Sequence, residues 1–295
     1  MTGLEDRFVG SMLGLALGDA LGARHEGGPI ARTLWWAMGI GKGGLLRWTD
    51  DTEMAIGLAK SLIENGGLDP DKLARHWAEN ADWKRGYASG AVRLLASIRE
   101  GADWRVANRS VFKDGSFGNG AAMRAAPLGL FFHKDPAELV RAAEIASSIT
   151  HAHPLGIEGG VLIARATAMA LQGPLDLEAL REGCREDEFR NLLSIASKEM
   201  DRDAVKRRLG MGIEAHRSAV TAVHVANRFT DFVPMIEFII SMGGDTDTVG
   251  AMAGGIFGAR HGRASLPEDA LEVLEEREWI ERTARKLFNV SQNDR

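Results

Sequence analysis

The sequence predicts an all-α protein, on three observations. Strand signals are scarce: tyrosine occurs once in 295 residues, and no run alternates β-branched with polar residues. Apolar residues recur instead at spacings of three and four, as in Leu73, Trp77 and Ala81, or Leu139, Ala142, Ala143 and Ala146. Helix start signals precede these sets. Asp135-Pro136 followed by Glu138 reads as an N-cap, a first-turn proline and a capping-box glutamate. Asp69-Pro70 opens another helix. Leu266-Pro267-Glu268-Asp269 opens the last one, which carries Leu271, Leu274 and Ile280. Ten or more helices are expected. No linker, boundary or repeat divides residues 1–295, so one domain is expected.

The composition excludes several classes. A hydrophobic fraction of 45% supports a sizeable core rather than disorder. The net charge of −5 gives no global basic field, so no nucleic-acid partner is expected. Lys206-Arg207-Arg208 reads as a solvated helix face. The single cysteine, Cys184, excludes an intramolecular disulfide and a cysteine-rich zinc site. Met1 to Arg7 carries Glu5 and Asp6 and does not resemble a secretory signal. No apolar run reaches the ~18 residues of a membrane span. A soluble, cytoplasmic protein with no membrane partner is expected.

Three segments break the helical pattern: the glycine-rich 27–48 with Trp35-Trp36, the irregular 101–120, and Ser241 to Asp247. Long loops in a compact helical domain are often functional. Glycines also form two stripes. Gly10, Gly14, Gly18 and Gly22 recur every four residues, as do Gly250, Gly254, Gly258 and Gly262. Each glycine inside a helix costs up to ~1 kcal/mol against alanine. Close approach of two helix backbones would offset that. The alternative is that Gly22 and Gly262 merely end their helices. Either stripe could instead meet another helix; if the two pack together, Asp19 comes near Asp245 and Asp247.

Two aspartate-rich segments carry the strongest chemical signal. Thr49-Asp50-Asp51-Thr52 precedes the apolar set Met54, Ile56, Leu58, Ala59 and Leu62. One aspartate would suffice as a cap; two adjacent carboxylates repel unless a cation lies between them. Gly243-Gly244-Asp245-Thr246-Asp247-Thr248 also precedes a helix, and its glycines permit positive φ and close approach. All these donors are hard oxygens, which suits Mg²⁺ or Mn²⁺ better than zinc. Four carboxylates could hold two ions. The competing reading is a pair of ordinary capped helices.

Weaker signals lie between them. Gly115-Ser116-Phe117-Gly118-Asn119-Gly120 leads into an expected helix, where backbone N–H groups can cradle a phosphate. Phe117 could stack on a base, although the core is the commoner fate of phenylalanine. In Thr150-His151-Ala152-His153-Pro154 no third nitrogen or sulfur ligand is near, so a polar contact to substrate or a structural histidine is expected. Glu26 follows the first helix and is, by itself, one glutamate among many.

In this order the segments resemble the ADP-ribosylglycohydrolase family. The resemblance rests on Gly18-Asp19-Ala20-Leu21-Gly22, Trp48 to Thr52, Gly118-Asn119-Gly120 through Met123-Arg124, Thr150-His151, and Gly244 to Thr248. It implies a compact multi-helix fold with a dinuclear cleft holding two Mg²⁺ (or Mn²⁺). Thr49, Asp50, Asp51, Asp245, Asp247 and Thr248 would be the ligands. Ser116, Phe117, Gly118, Asn119 and Gly120 would line the diphosphate and ribose region, with His151 nearby. Glu26 matches an auxiliary glutamate, and Asp50, Asp51 or Glu26 would act as base or acid. An aromatic, Phe112 or Phe117, would stack on adenine.

The implied reaction removes ADP-ribose from a modified protein side chain at C1″. Arg85-Gly86-Tyr87-Ala88-Ser89-Gly90 resembles the serine-linked branch; Thr150 to Pro154 and Ala125-Ala126-Pro127 resemble the arginine-linked branch. A guanidinium site would want a carboxylate, with Asp82 and Asp103 as candidates. The alternatives are a hydrolase of small ADP-ribose conjugates such as O-acetyl-ADP-ribose, or a non-catalytic ADP-ribose-binding regulator.

Overall fold

The computed structural model describes residues 3–25 and 44–293. Glu26 and Trp35-Trp36 lie outside them. Among the described residues the chain is helical with no β-strand; Leu46 with Leu274 and Gly118 with Glu214 form isolated bridges. Eight helices build the centre: α1 (Gly3–Ala23), α2 (Asp50–Asn65), α3 (Pro70–Asn80), α4 (Pro136–Ser148), α5 (Pro154–Ala170), α6 (Ala215–Arg228), α7 (Thr246–His261) and α8 (Arg277–Ser291). Shorter helices and 3-10 turns join them. None is long and apolar enough to cross a membrane.

The two glycine stripes face each other. A Cβ on Gly14 would collide with Gly254, one on Gly18 with Gly250, and one on Gly22 with Thr246. The pairing runs in opposite directions along α1 and α7, so the two helices are antiparallel and in backbone contact. Gly22 lies inside α1, while Gly262, at φ 81°, is the C-cap of α7. Ser11 donates to Gly255 O at 2.8 Å and Thr246 to Gly22 O at 2.9 Å, fixing the register at both ends. Both helices are apolar nearly all round and internal from Phe8 onward in α1 and up to Ala259 in α7, apart from the part-buried Leu21. Phe8, Met12, Leu13 and Leu17 on α1 join Val249, Met252, Ile256 and Phe257 on α7 in the core. Helices α5 and α6 pack along α7, and α8 crosses α1 and α2.

The start signals hold at residue level. Asp69 accepts from Lys72 N at 3.0 Å, and Asp135 accepts from Ala137 N and Glu138 N. Glu138 reaches forward to Arg141 rather than back to close a capping box. The expected last helix is broken in two. Glu268–Glu272 ends early because Leu46 N donates to Val273 O and Glu275 N donates to Leu46 O, drawing this stretch out of the helix. Glu276 takes φ 55° before α8 begins. Lys206, Arg207 and Arg208 are exposed, as a solvated face requires.

Candidate active site

The antiparallel packing of α1 and α7 sets the N-terminus of α7 beside the last turns of α1. The first turn of α2 meets the same point through Asp19. That carboxylate is fully buried and accepts from Thr49 N at 2.9 Å, Thr52 N at 3.2 Å and Thr52 Oγ1 at 2.5 Å. Thr49 is the N-cap of α2, its hydroxyl accepting from Asp51 N at 3.2 Å. A hydroxyl thus does the capping, and neither Asp50 nor Asp51 is needed for it. Upstream, Arg85 donates to Trp48 O at 3.0 Å, stacks 3.5 Å over the Trp48 ring and pairs with Glu275.

The second turn is held as tightly. Gly243 and Gly244 adopt φ 63° and 94°, which a side chain would strain. A Cβ at Gly244 would also clash with Met211 O, the acceptor for Asp245 N at 2.9 Å. Asp245 occupies the N-cap position of α7 but makes no side-chain cap. Its carboxylate accepts instead from Asn119 Nδ2 at 2.6 Å. Asp247 Oδ1 accepts from Thr248 N at 2.8 Å.

Asp51 is where the two turns meet. Burial drives its pKa well above the usual carboxylate value, and the charges of Asp19, Asp50 and Asp245 push the same way; a hydrogen bond from the Thr248 side chain opposes them. Burial likewise lifts Asp19 to about 6, against its hydrogen bonds. Among the described residues, Asp51 Oδ2 is buried with no hydrogen-bond partner. A buried carboxylate oxygen left unmatched among like charges is a costly arrangement for stability alone, and such perturbed clusters mark functional sites. Among the described residues, no three His, Cys, Asp or Glu side chains close to the spacing of a finished metal cage, as mutual repulsion of bare carboxylates dictates. The donor chemistry still fits a hard divalent cation. Every group is an oxygen, and Asp51 Oδ2 is unmatched.

The glycine-rich segment forms the adjoining wall. The helix expected after it is a single 3-10 turn, Asn119–Ala121, and the loop packs instead on the start of α5, where a Cβ on Gly115 would meet His153 N. The segment is held by the chain at 211–215: Asn119 N donates to Ile213 O and Ala215 N to Phe117 O. Ser116 Oγ accepts from Gly118 N at 3.2 Å, closing the loop on itself. Phe117 is not in the core. It is 48% exposed and packs edge-on against His153, with Ile213 also exposed. Phe112 is exposed too, its ring over Gly90.

His151 lies behind this loop, its ring beside Gly118 and Gly120. Its Nδ1 lies 2.7 Å from Thr150 Oγ1, which accepts from Arg124 at 2.6 Å. Burial, then the Arg124 charge, depresses His151 to about 3, so the ring is neutral. Arg124 is itself buried, stacks 4.1 Å from the Trp77 ring and feels the charge of Asp50.

The structure therefore brings together Thr49, Asp50, Asp51, Asp245, Thr248 and Asn119, with Asp247 in the first turn of α7 and His151 beyond the loop. Sequence reasoning placed Asp19 near Asp245 and Asp247 if the stripes packed together, as they do, but missed Asp19 and Arg85 as the residues that aim the first turn, and missed that the Asn119 amide is committed to Asp245. Charged groups inside apolar helical surroundings were the available signal for Asp19; Arg85 left none. The guanidinium candidates are engaged elsewhere. Asp82 accepts from Lys84 N and lies 3.8 Å from Arg47 and 3.9 Å from Arg85. Asp103 caps Trp104–Ala107 and pairs with Arg105.

Comparisons with known proteins identify the family. The ADP-ribosylglycohydrolase family model matches residues 1–295. The chain is 31% identical to ADP-ribosylhydrolase ARH3 of Xenopus tropicalis, over 88% of this chain and 89% of that protein. It is 29% identical to ADP-ribosylarginine hydrolase Tri1 of Pseudomonas putida, over 96% and 78%. A solved structure described as an ADP-ribosylglycohydrolase-related protein complex matches with a TM-score of 0.77 at 29% identity, covering 99% of this chain and all of that one. The chain belongs to the ADP-ribosylglycohydrolase family of hydrolases.

Proposed function

We propose that this enzyme hydrolyses the C1″ bond between ADP-ribose and a modified protein side chain, with Mg²⁺ or Mn²⁺ at the two aspartate turns. The observation that carries the reading is the convergence of Asp50 and Asp51 with Asp245 around the unmatched Asp51 Oδ2. Thr49, Asp50, Asp51, Asp245, Asp247 and Thr248 would hold the ions. When bound, they would orient the ribose hydroxyls and activate water. The chain's own part is positioning. Gly118 and Asn119 bring the distal ribose over the carboxylates, and the neutral His151 faces the diphosphate or ribose oxygens. Charge develops as in an oxocarbenium ion when the C1″ bond breaks. A carboxylate of this cluster, Asp50 or Asp51, takes the proton of the attacking water, and Glu26 is the auxiliary acid. The exposed ring of Phe117 suits adenine.

Among acceptors, we favour serine. An arginine-linked substrate would need a carboxylate for its guanidinium, and Asp82 and Asp103 are both already paired. The test compares serine- and arginine-linked ADP-ribosyl peptides under excess Mg²⁺. ADP-ribose released chiefly from the serine peptide is expected. Release chiefly from the arginine peptide would overturn the linkage. Tight ADP-ribose binding with no release from either would instead mark a regulator.

A further inference from the structure

We propose that Arg124 and Thr150 are positioning residues that hold His151 as its Nε2–H tautomer, so that the ring meets a phosphoryl or ribose oxygen as a neutral hydrogen-bond donor. The ligand half of this inference rests on the proposed function; the tautomer half stands on hydrogen-bond direction alone.

Arginine has donors and no acceptor, and stays charged. Arg124 Nη2 therefore donates to Thr150 Oγ1 at 2.6 Å. The Thr150 hydroxyl is buried and carries one proton. Among the described residues, its other hydrogen-bond neighbour is His151 Nδ1 at 2.7 Å. The hydroxyl proton has one productive destination, so His151 Nδ1 accepts it and carries no proton itself. A neutral imidazole has one N–H, which places it on Nε2. Two further facts support a neutral ring. Burial and the Arg124 charge both resist protonation of His151, and Arg124 is the charged group that acts on it.

Nε2 points to where a ligand can be met. A Cβ added to Gly120 would lie 3.3 Å from Nε2, and one added to Gly118 would lie 3.8 Å away. The glycines at 118 and 120 let the loop pack directly against this edge of the ring, and Asn119 between them holds Asp245. Arg124 itself is fixed by the Trp77 ring at 4.1 Å and by Met54 Sδ at 3.5 Å. Met54 lies on α2, one turn after Asp50. The relay therefore ties the histidine to the helix that carries the first aspartate turn.

Long-range proton–nitrogen NMR of histidine-labelled protein at pH 7 reads the tautomer directly. The expected His151 signature is a pyridine-like Nδ1 and a pyrrole-like Nε2. An Nδ1–H tautomer or an imidazolium in the wild-type protein would overturn the proposal. Thr150→Val removes the hydroxyl with little change of shape, and Thr150→Ser restores it. Calorimetry with ADP-ribose should show binding weakened about tenfold in the valine variant and near wild type in the serine variant. A valine variant with unchanged tautomer and unchanged affinity also overturns it. The wild-type spectrum decides the tautomer even if a variant fails to fold. If ADP-ribose does not bind wild-type protein while Nε2 carries the proton, the positioning role stands and the ligand assignment falls.

Discussion

Asp245 sits at an N-cap position and does not cap; Thr49 caps, and so leaves Asp50 and Asp51 free of that duty. Those two choices separate the site from a pair of ordinary helix starts. Asp245→Ala or Asp50→Ala should therefore abolish release of ADP-ribose in protein that keeps its helical circular dichroism. Asn119→Ala removes the amide that orients Asp245, along with a side chain at the proposed ribose wall, and should lower the rate roughly 10–100-fold. Wild-type turnover in either aspartate variant would contradict the assignment. Cys184 gives an independent check on burial. Its thiol is pushed up to about 12, first by burial and then by Glu158, so it should resist thiol reagents at pH 8 until the chain is unfolded. Rapid labelling of the native protein would show that the helices around it are misplaced.

His151 also predicts a pH dependence of stability. Its folded pKa of about 3 lies below the ordinary 6.5. Between those values the unfolded chain binds a proton that the native chain does not. Stability is therefore lost as the pH falls from 6.5 towards 3, by up to ~1.4 kcal/mol per pH unit. Urea unfolding of wild type and His151→Gln at pH 7.5 and 5 isolates this residue, because the other buried histidines and Asp19 act equally in both. A wild type that loses no more stability than the variant would mean that His151 is protonated or exposed.

At the scale of elements, the contact of α1 with α7 places the site. The eight glycines of the two stripes let the backbones touch, and that contact carries Gly22 to Thr246 and so Asp19 towards the start of α7. Overpacked cores typically lose 1–3 kcal/mol. Gly18→Val forces a side chain into the Gly250 backbone and should cost about 3 kcal/mol or more, read as a lower midpoint in urea. Gly3→Val is the control, since a Cβ there meets nothing within 4 Å. Equal midpoints for the two variants would contradict the packing.

Across the whole molecule, helix class and most helix starts were legible because capping and three-four periodicity are local. The glycine stripes were legible as sites of close helix packing, but that the two stripes pack on each other was not, because either could have met another helix. What could not be read depended on distant partners. The break at Val273 to Glu276 follows from pairing with Leu46, more than two hundred residues away. Phe117 was left between a base-stacking and a core role because its exposure depends on how the chain at 211–215 holds its backbone. The aspartate turns were legible as a site, whereas Arg85 and Asp19, which aim them, act through tertiary contacts.

The central claim is that the two aspartate turns are one divalent-metal site for an ADP-ribosyl group. The most direct test follows ADP-ribose release from a serine-linked ADP-ribosyl peptide by chelator-treated enzyme as Mg²⁺ is titrated back. The rate should start near zero and rise to saturation with wild-type protein, and should stay at zero with Asp245→Ala. Full release in the presence of chelator, or recovery by the alanine variant, would contradict it.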